Sequence, residues 1–320
     1  MNDDNGKLFY EGLTEGDNEK LLKVPKSDLH IHSTKGCRRA WLGERTGREF
    51  APAPERFDGL DGMQEWFTRE LKPYCSGREG IVLRWEGSFA EAKRNNIKRL
   101  AMNFGPEEIE LVGGMEAFRK LIEGFRDAYC RDTVFEPEIT YVSRCDIDFE
   151  AGRIDQYLSD GFFKTIDVCG GENIRPFEDF LPLYRKAEEY RLIKRMHVGE
   201  SGSAEDCRRA VEVLGLDELH HGNNAAGSEE VMRFLADNRI VLNLCPSSNV
   251  MLRYADSYKD HPIRILYENG VRVTINTDDL LIFDSSIENE YLLLYKAGNL
   301  SAEQLNDIRK AGLCGAGEKN

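Results

Sequence analysis

His30 and His32 stand one residue apart in the segment "SDLHIHSTKG" (residues 27–36), at the end of an apolar run and just before polar residues and a glycine. Side chains at i and i+2 of a strand share a face. The two imidazoles therefore face one spot, while Leu29 and Ile31 pack the other way. Two imidazoles begin a metal site without completing it. His197 closes the run "IKRMHVG" and brings a third, and Asp278 in "TINTDD" offers an oxygen. Three neutral imidazoles and one carboxylate suit a single divalent ion, zinc or Fe2+ or another first-row metal, with one position left for water. Such an ion lowers the pKa of that water and provides a nucleophile near neutral pH.

Two further carboxylates stand close by in sequence. Glu200 lies three residues past His197, beyond the expected strand end and ahead of Ser-Gly. Partly desolvated by substrate there, it could protonate a leaving or ring nitrogen; the competing reading is a solvated loop glutamate. Asp278 and Asp279 are adjacent, so both reach one site only where their strand is already breaking into its loop. A turn or helix cap is the alternative for that pair. The chain has six histidines, and five of them (30, 32, 197, 220 and 221) sit at expected strand ends. The sixth, His261, precedes Pro262 at a helix start and reads as a capping or structural residue.

These residues need a scaffold that brings distant strand ends together. "EITYVSRCDI", "FKTIDVCGGE", "IKRMHVGESG", "ELHHGNN", "IVLNLCPSSN" and "VRVTINTDD" share one grammar: a short apolar run, then Gly, Asn, Ser or Asp. Helix-like stretches lie between them, with Ser203 and Ser228 as N-caps and Gly270 as a C-terminal glycine. Strands alternating with helices at this pace, with polar residues at each C-terminal strand end, predict an α/β fold: a (β/α)8 TIM-type barrel. Residues 33–90 break the rhythm. Polar and rich in Gly, Pro and Arg, with one short helix expected at "MQEWFTRELK", they are expected to form a lid-like insertion or substrate wall after the first strand. Residues 1–22 read as an acidic N-terminal extension and 23–320 as one barrel domain.

Composition excludes other classes. The chain of 320 residues carries 43 Lys and Arg against 57 Asp and Glu, a net charge of −14. That balance argues against nucleic-acid backbones and anionic membranes as partners and leaves a small molecule. No run approaches the roughly 18 apolar residues of a membrane span, and the N-terminus lacks the apolar core of a signal peptide. The eight cysteines are scattered without a C-x-x-C pair, as expected of reduced cysteines in a cytoplasmic protein.

The motifs "DLHIH", "DVCGGE", "HVGE", "HHG", "LCPSSN" and "NTDD", in this order, resemble the adenosine/AMP deaminase group of the amidohydrolase superfamily. The resemblance runs from about residue 25 to 310. It implies a zinc-dependent barrel hydrolase that replaces a purine 6-amino group with oxygen and releases ammonia. It implies His30, His32, His197 and Asp278 as metal ligands and Glu200 as the acid that protonates ring N1. His221 is implied to hold and help deprotonate the attacking water, while His220 stands where the family usually has glycine. Asp278 or His221 can then pass a proton to the leaving ammonia, so Asp278 is a catalytic candidate as well as a ligand. Asp279 is implied to contact the purine and Gly170 to pack against the ring.

The chain also departs from that pattern. The aspartate and glycine that usually follow the second histidine become Ser33-Thr34-Lys35-Gly36, and Leu280 replaces a proline. Lys35, Arg38 and Arg39 add positive charge near the expected sugar end. They could receive a substrate phosphate or carboxylate, or be solvated loop charges. A different aminated heterocycle or cyclic amide on the same site is an alternative substrate. "DLHIHST" also looks like the opening of the PHP phosphoesterases, but no histidine lies between His32 and His197 to build their multi-metal cluster. A non-catalytic barrel predicts a lost ligand, and every expected position is filled.

Overall fold

The apolar runs that end in polar residues are the strands of a barrel. A computed structural model describes residues 4–314. Its strands are β1 (Lys26–Asp28), β2 (Ile97–Phe104), β3 (Val134–Val142), β4 (Thr165–Cys169), β5 (Ile193–Val198), β6 (Glu218–His221), β7 (Val241–Leu244) and β8 (Arg272–Ile275). They pair in parallel and in sequence order within one eight-stranded sheet. The ends meet past the regular ladder, where the Asp278 amide donates to the His30 carbonyl at 2.9 Å and Ile31 bridges Asp278. The barrel therefore closes at the residues that carry two of the candidate ligands.

Strand alternation sorts the side chains. Ile166, Val168, Met196, Val198, Leu219, Leu242, Val273 and Ile275 belong to the main apolar core. Asp167, Arg195, His197, Glu218, His220, Asn243 and Thr274 alternate with them and bond one another across the strands. Burying one such aliphatic side chain contributes about 1.5–3 kcal/mol. The outer helices thus fix the strands, and the strands fix a polar interior. The expected caps are present: Ser203 accepts from the Asp206 amide, Ser228 accepts from the Val231 amide, and Gly270 follows its helix at φ +79°.

The chain ahead of β1 is built into this core. Helices α1 (Asp4–Glu15) and α2 (Asn18–Lys23) bury Phe9, Leu13 and Leu21, with Phe9 edge-on to Tyr291 at 5.3 Å. Phe9 and Leu13 lie four residues apart, so one face of α1 is apolar. Residues 1–3 of the expected extension and 315–320 of the expected barrel domain lie outside the described residues.

The 33–90 region holds more helix than its composition suggests: α3 (Arg39–Thr46), α4 (Gly59–Glu70), α5 (Lys72–Cys75) and α6 (Gly77–Arg94). Leu42, Phe57, Met63, Trp66, Phe67 and Leu71 form a second apolar cluster with Leu252 and Leu281–Phe283. Tertiary packing on the β8 loop overrides the weak local pattern. Among the described residues, no helix is long and apolar enough to cross a membrane.

Candidate active site

The polar strand ends converge at the C-terminal mouth of the barrel. Nε2 of His30 lies 3.0 Å from Nε2 of His197. Oδ1 of Asp278 lies 3.4 Å from Nε2 of His32 and 3.8 Å from Nε2 of His30. The donor atoms of His30, His32 and His197 all fall within 4.8 Å of one another. An ion with bonds of about 2.05 Å in tetrahedral geometry needs donors ~3.3 Å apart. The separations found bracket that value, so the donor set fits a single small divalent cation.

The far nitrogen of each ring is held from behind. His197 Nδ1 meets Asp167 at 3.0 Å, and Asp167 also accepts from Thr140 at 2.8 Å. His32 Nδ1 meets the side-chain amide of Asn103 at 3.0 Å, and His30 Nδ1 lies 3.4 Å from the Asn243 carbonyl. Such partners fix ring orientation and leave the other nitrogen free for a ligand role.

Two site residues sit in the left-handed region of backbone space, His221 at φ +66° and Asp278 at φ +59°. Each costs about 1–3 kcal/mol relative to extended backbone. The strain redirects chain that would otherwise alternate. His221 joins His220 on one side of β6, and Asp278 reaches the ligand cluster beside Asp279. The broken strand end foreseen for the aspartate pair is thus a specific backbone conformation.

Glu200 faces His221 and Asn249. Its Oε1 accepts from Asn249 Nδ2 at 3.0 Å and lies 3.4 Å from His221 Nδ1. Burial above all, then the negative charges of Asp278 and Glu172, push its carboxyl well above the usual carboxylate range. Asn249 Nδ2 also lies 3.4 Å from His221 Nδ1, and Asn249 Oδ1 accepts from His261 Nε2 at 3.1 Å. His261 therefore has a structural place one residue behind the site, while its Nδ1 accepts from the Ile263 amide at 3.2 Å.

Glu172 has no ligand-like spacing to mark it in the sequence, yet it shapes the site. Its carboxylate accepts the backbone amides of Gly199, Glu200, Ser201 and Gly202 at 2.7, 2.8, 2.8 and 3.0 Å. One side chain thereby sets the loop that presents Glu200. A Cβ at Gly199, itself at φ +77°, would stand 2.2 Å from Cys207 Sγ, so this turn requires glycine. The only trace in the sequence is the charge ending "DVCGGE".

A cavity of about 280 Å³ opens over these groups, at the small end of ligand pockets. It is lined by His32, His197, Glu200, His221, Asp278 and Asp279 at the reacting end, and by Gly170, Cys169 and Lys35 alongside. Leu60, Met63 and Gln64 of α4 contribute one wall. Helix α7 (Pro106–Leu111), which follows β2, contributes Glu107 and Glu108. Lys35 donates to Asp279 Oδ2 at 2.8 Å, and that carboxylate holds its ammonium above its ordinary value although burial alone would lower it. Arg38 is absent from the lining and lies 2.6 Å from Glu91. His220 lies beneath, buried, with Nε2 3.1 Å from Glu138 and its ring 4.0 Å from that of His30.

The adenosine deaminase family matches residues 139–317. A protein of Treponema pallidum described as a putative adenosine/adenine deaminase is 30% identical over 92% of this chain and 94% of its own length. An adenosine deaminase of Clostridium perfringens is 23% identical over 90% and 92%. Among solved structures, an adenine deaminase from Arthrobacter aurescens superposes with a TM-score of 0.77 at 20% identity, covering 90% of this chain and 92% of that one. The N6-mAMP deaminase of Arabidopsis superposes at 0.76 with 18% identity, covering 92% and 93%. At these identities the two superpositions bear on the fold, which is the same barrel.

Proposed function

Because this chain belongs to the adenosine deaminase family, we propose that it hydrolyses the 6-amino group of an adenine-type purine and releases ammonia. One observation carries the reading. Four donor atoms of a cation site, three of them on residues that line the cavity, stand beside a buried carboxylic acid and a neighbouring imidazole at the C-terminal mouth of a barrel. Barrels of this architecture place their chemistry there.

His30, His32, His197 and Asp278 would hold the divalent ion, zinc by preference for three imidazoles and a carboxylate. When bound, it would supply Lewis-acid chemistry that brings a water molecule's pKa toward neutrality. The chain's own residues do the rest. Glu200 keeps its proton because it is buried, and gives it to ring N1, which quenches the charge that develops as oxygen adds to C6. His221, with Nδ1 near Glu200, has Nε2 to accept a proton from the attacking water and return it to the departing nitrogen. Overall one C–O bond forms and the C6–N bond breaks. One water proton leaves on ammonia through His221; the other, left on the new oxygen, returns to Glu200 as the C6–O double bond forms and restores the acid. Asp279 and Gly170 flank the ring, and residues 33–90 wall off the cavity through Leu60, Met63 and Gln64. The substrate is a small molecule.

The test is ammonia release by the zinc-loaded protein from adenine, adenosine and deoxyadenosine. Turnover of at least one supports the reading. Turnover confined to a non-purine amine or cyclic amide would replace it.

A further inference from the structure

The acid step needs the Glu200 proton on one oxygen and not the other. A carboxylic acid has two nearly equivalent oxygens, so its surroundings decide which of them holds the proton. The decision begins at a backbone amide, which can only donate. The Ile263 amide meets His261 Nδ1 at 3.2 Å, so that nitrogen accepts and is bare. His261 is buried, and burial pushes its imidazole down to about 3, which leaves the ring neutral. A neutral ring with an accepting Nδ1 carries its one proton on Nε2.

That N–H meets Asn249 Oδ1 at 3.1 Å and fixes which end of the amide looks back. Nδ2 of Asn249 is thereby turned to the site, where it donates to Glu200 Oε1 at 3.0 Å. Both members are anchored through their own backbones. Asn299 Nδ2 donates to the His261 carbonyl at 2.9 Å and to the Tyr258 and Lys259 carbonyls at 3.0 Å. Asn249 sits on the short helix Pro246–Met251, and its carbonyl accepts the Tyr254 and Ala255 amides at 2.8 and 2.9 Å. Turned over, the same side-chain amide would set Oδ1 against Glu200 Oε1. An acceptor there would draw the acid proton away from the substrate.

Resting on the deaminase reading above, we propose that His261 and Asn249 are positioning residues for the acid. The Ile263 amide, His261 and Asn249 form a relay of donors that ends at Glu200 Oε1. Because Oε1 receives a donor, the acid proton is reserved for Oε2, the oxygen left to serve ring N1. Neither His261 nor Asn249 lines the cavity, so the relay acts on proton transfer and not on binding.

The experiment pairs steady-state kinetics with NMR on the full, zinc-loaded chain. Long-range ¹H–¹⁵N spectra read the tautomer of each imidazole, and the signal lost in His261→Gln assigns His261. Its proton should sit on Nε2. His261→Gln still has an amide N–H for Asn249 Oδ1 and should keep kcat within ~3-fold of the parent. His261→Leu has no donor; its kcat should fall ~10-fold or more, with KM and zinc content nearly unchanged. Asn249→Asp puts an acceptor of the same shape against Glu200 Oε1 and should lower kcat ~100-fold. A role in packing alone would make the Gln and Leu variants fall together, and that result would overturn the proposal. So would a His261 proton on Nδ1, or a rise in KM with kcat unchanged. Should His261→Leu fail to fold, the parent tautomer and Asn249→Asp decide. If the parent turns over only another amine or a cyclic amide, the purine reading fails, and the same order of kcat values on that substrate sustains the relay. Turnover of neither kind overturns both.

Discussion

Two polar clusters share the interior of this barrel. In the lower one, Arg195 is fully buried and every face of its guanidinium is used. Nε meets Glu218 at 2.8 Å, Nη1 meets Glu138 at 3.1 Å and Nη2 meets Glu136 at 3.1 Å. Arg99 completes the group through Glu136 at 2.7 Å and the Cys314 carbonyl at 2.6 Å. In the upper cluster, atoms of the same kind face one another. Two imidazole nitrogens lie 3.0 Å apart with a carboxylate oxygen beside them. Opposite charges that satisfy one another build structure. Among the described residues the convergent nitrogens and oxygen of the upper cluster face one another instead of an opposite charge, an arrangement that a cation would complete. His220 joins the two levels, bonded to Glu138 below and with its ring tilted 33° against that of His30 above.

If that contrast holds, variants in the two clusters separate activity from stability. The largest effect belongs to Glu200→Gln, which should lower kcat by ~10²–10⁴ while zinc content and melting temperature stay close to the parent values. Steady-state kinetics with metal analysis read this, and an undiminished kcat would remove Glu200 from the chemistry. Arg195→Met should do the reverse. Leaving Glu136, Glu138 and Glu218 without their cation should cost about 3–5 kcal/mol of stability, seen as a lowered unfolding midpoint, with the folded fraction still able to take up zinc. A stable Arg195→Met protein that no longer binds metal would erase the distinction between the clusters.

Smaller effects sharpen the boundary. Asp167→Asn changes the partner of His197 without touching a donor atom of the upper cluster. It should weaken zinc affinity ~10–100-fold in a chelator competition, and unchanged affinity would make Asp167 a packing residue. Glu172→Gln loses a carboxylate that accepts four amides. Loosening the loop should lower kcat ~10-fold with KM nearly unchanged and metal retained. A rise in KM alone would show that the loop positions substrate instead of the acid.

The same contrast explains what could be read in the sequence. The upper cluster was legible because histidines are rare and each closes an apolar run, so His30, His32, His197 and Asp278 could be grouped before any distance was known. The barrel was legible for a related reason, since its strands alternate with capped helices. The lower cluster announces itself weakly. Glu136 and Glu138 in "FEPEIT" and Arg195 two residues before His197 alternate with apolar neighbours, the same pattern a half-exposed strand would give. Only the closed barrel turns that pattern inward. Glu172 and Asn249 act through hydrogen bonds to residues 27 and 49 positions away, and no local pattern encodes such pairings. Apart from the helix expected at "MQEWFTRELK", which is α4, the 33–90 helices escaped for the same reason, because the residues that stabilise them, Leu252 and Leu281–Phe283, lie far along the chain. Lys35 and Arg38 were visible as charges, but their partners Asp279 and Glu91 were not.

The most direct test of the account measures zinc content and adenosine or adenine deamination on one preparation, before chelation, after it, and after zinc is returned, with His197→Ala alongside. A metal-dependent deaminase holds about one ion per chain, loses activity with the metal and regains it with zinc, and as folded His197→Ala has neither metal nor activity. Full deamination by the chelated protein, or stoichiometric zinc in the variant, would contradict it.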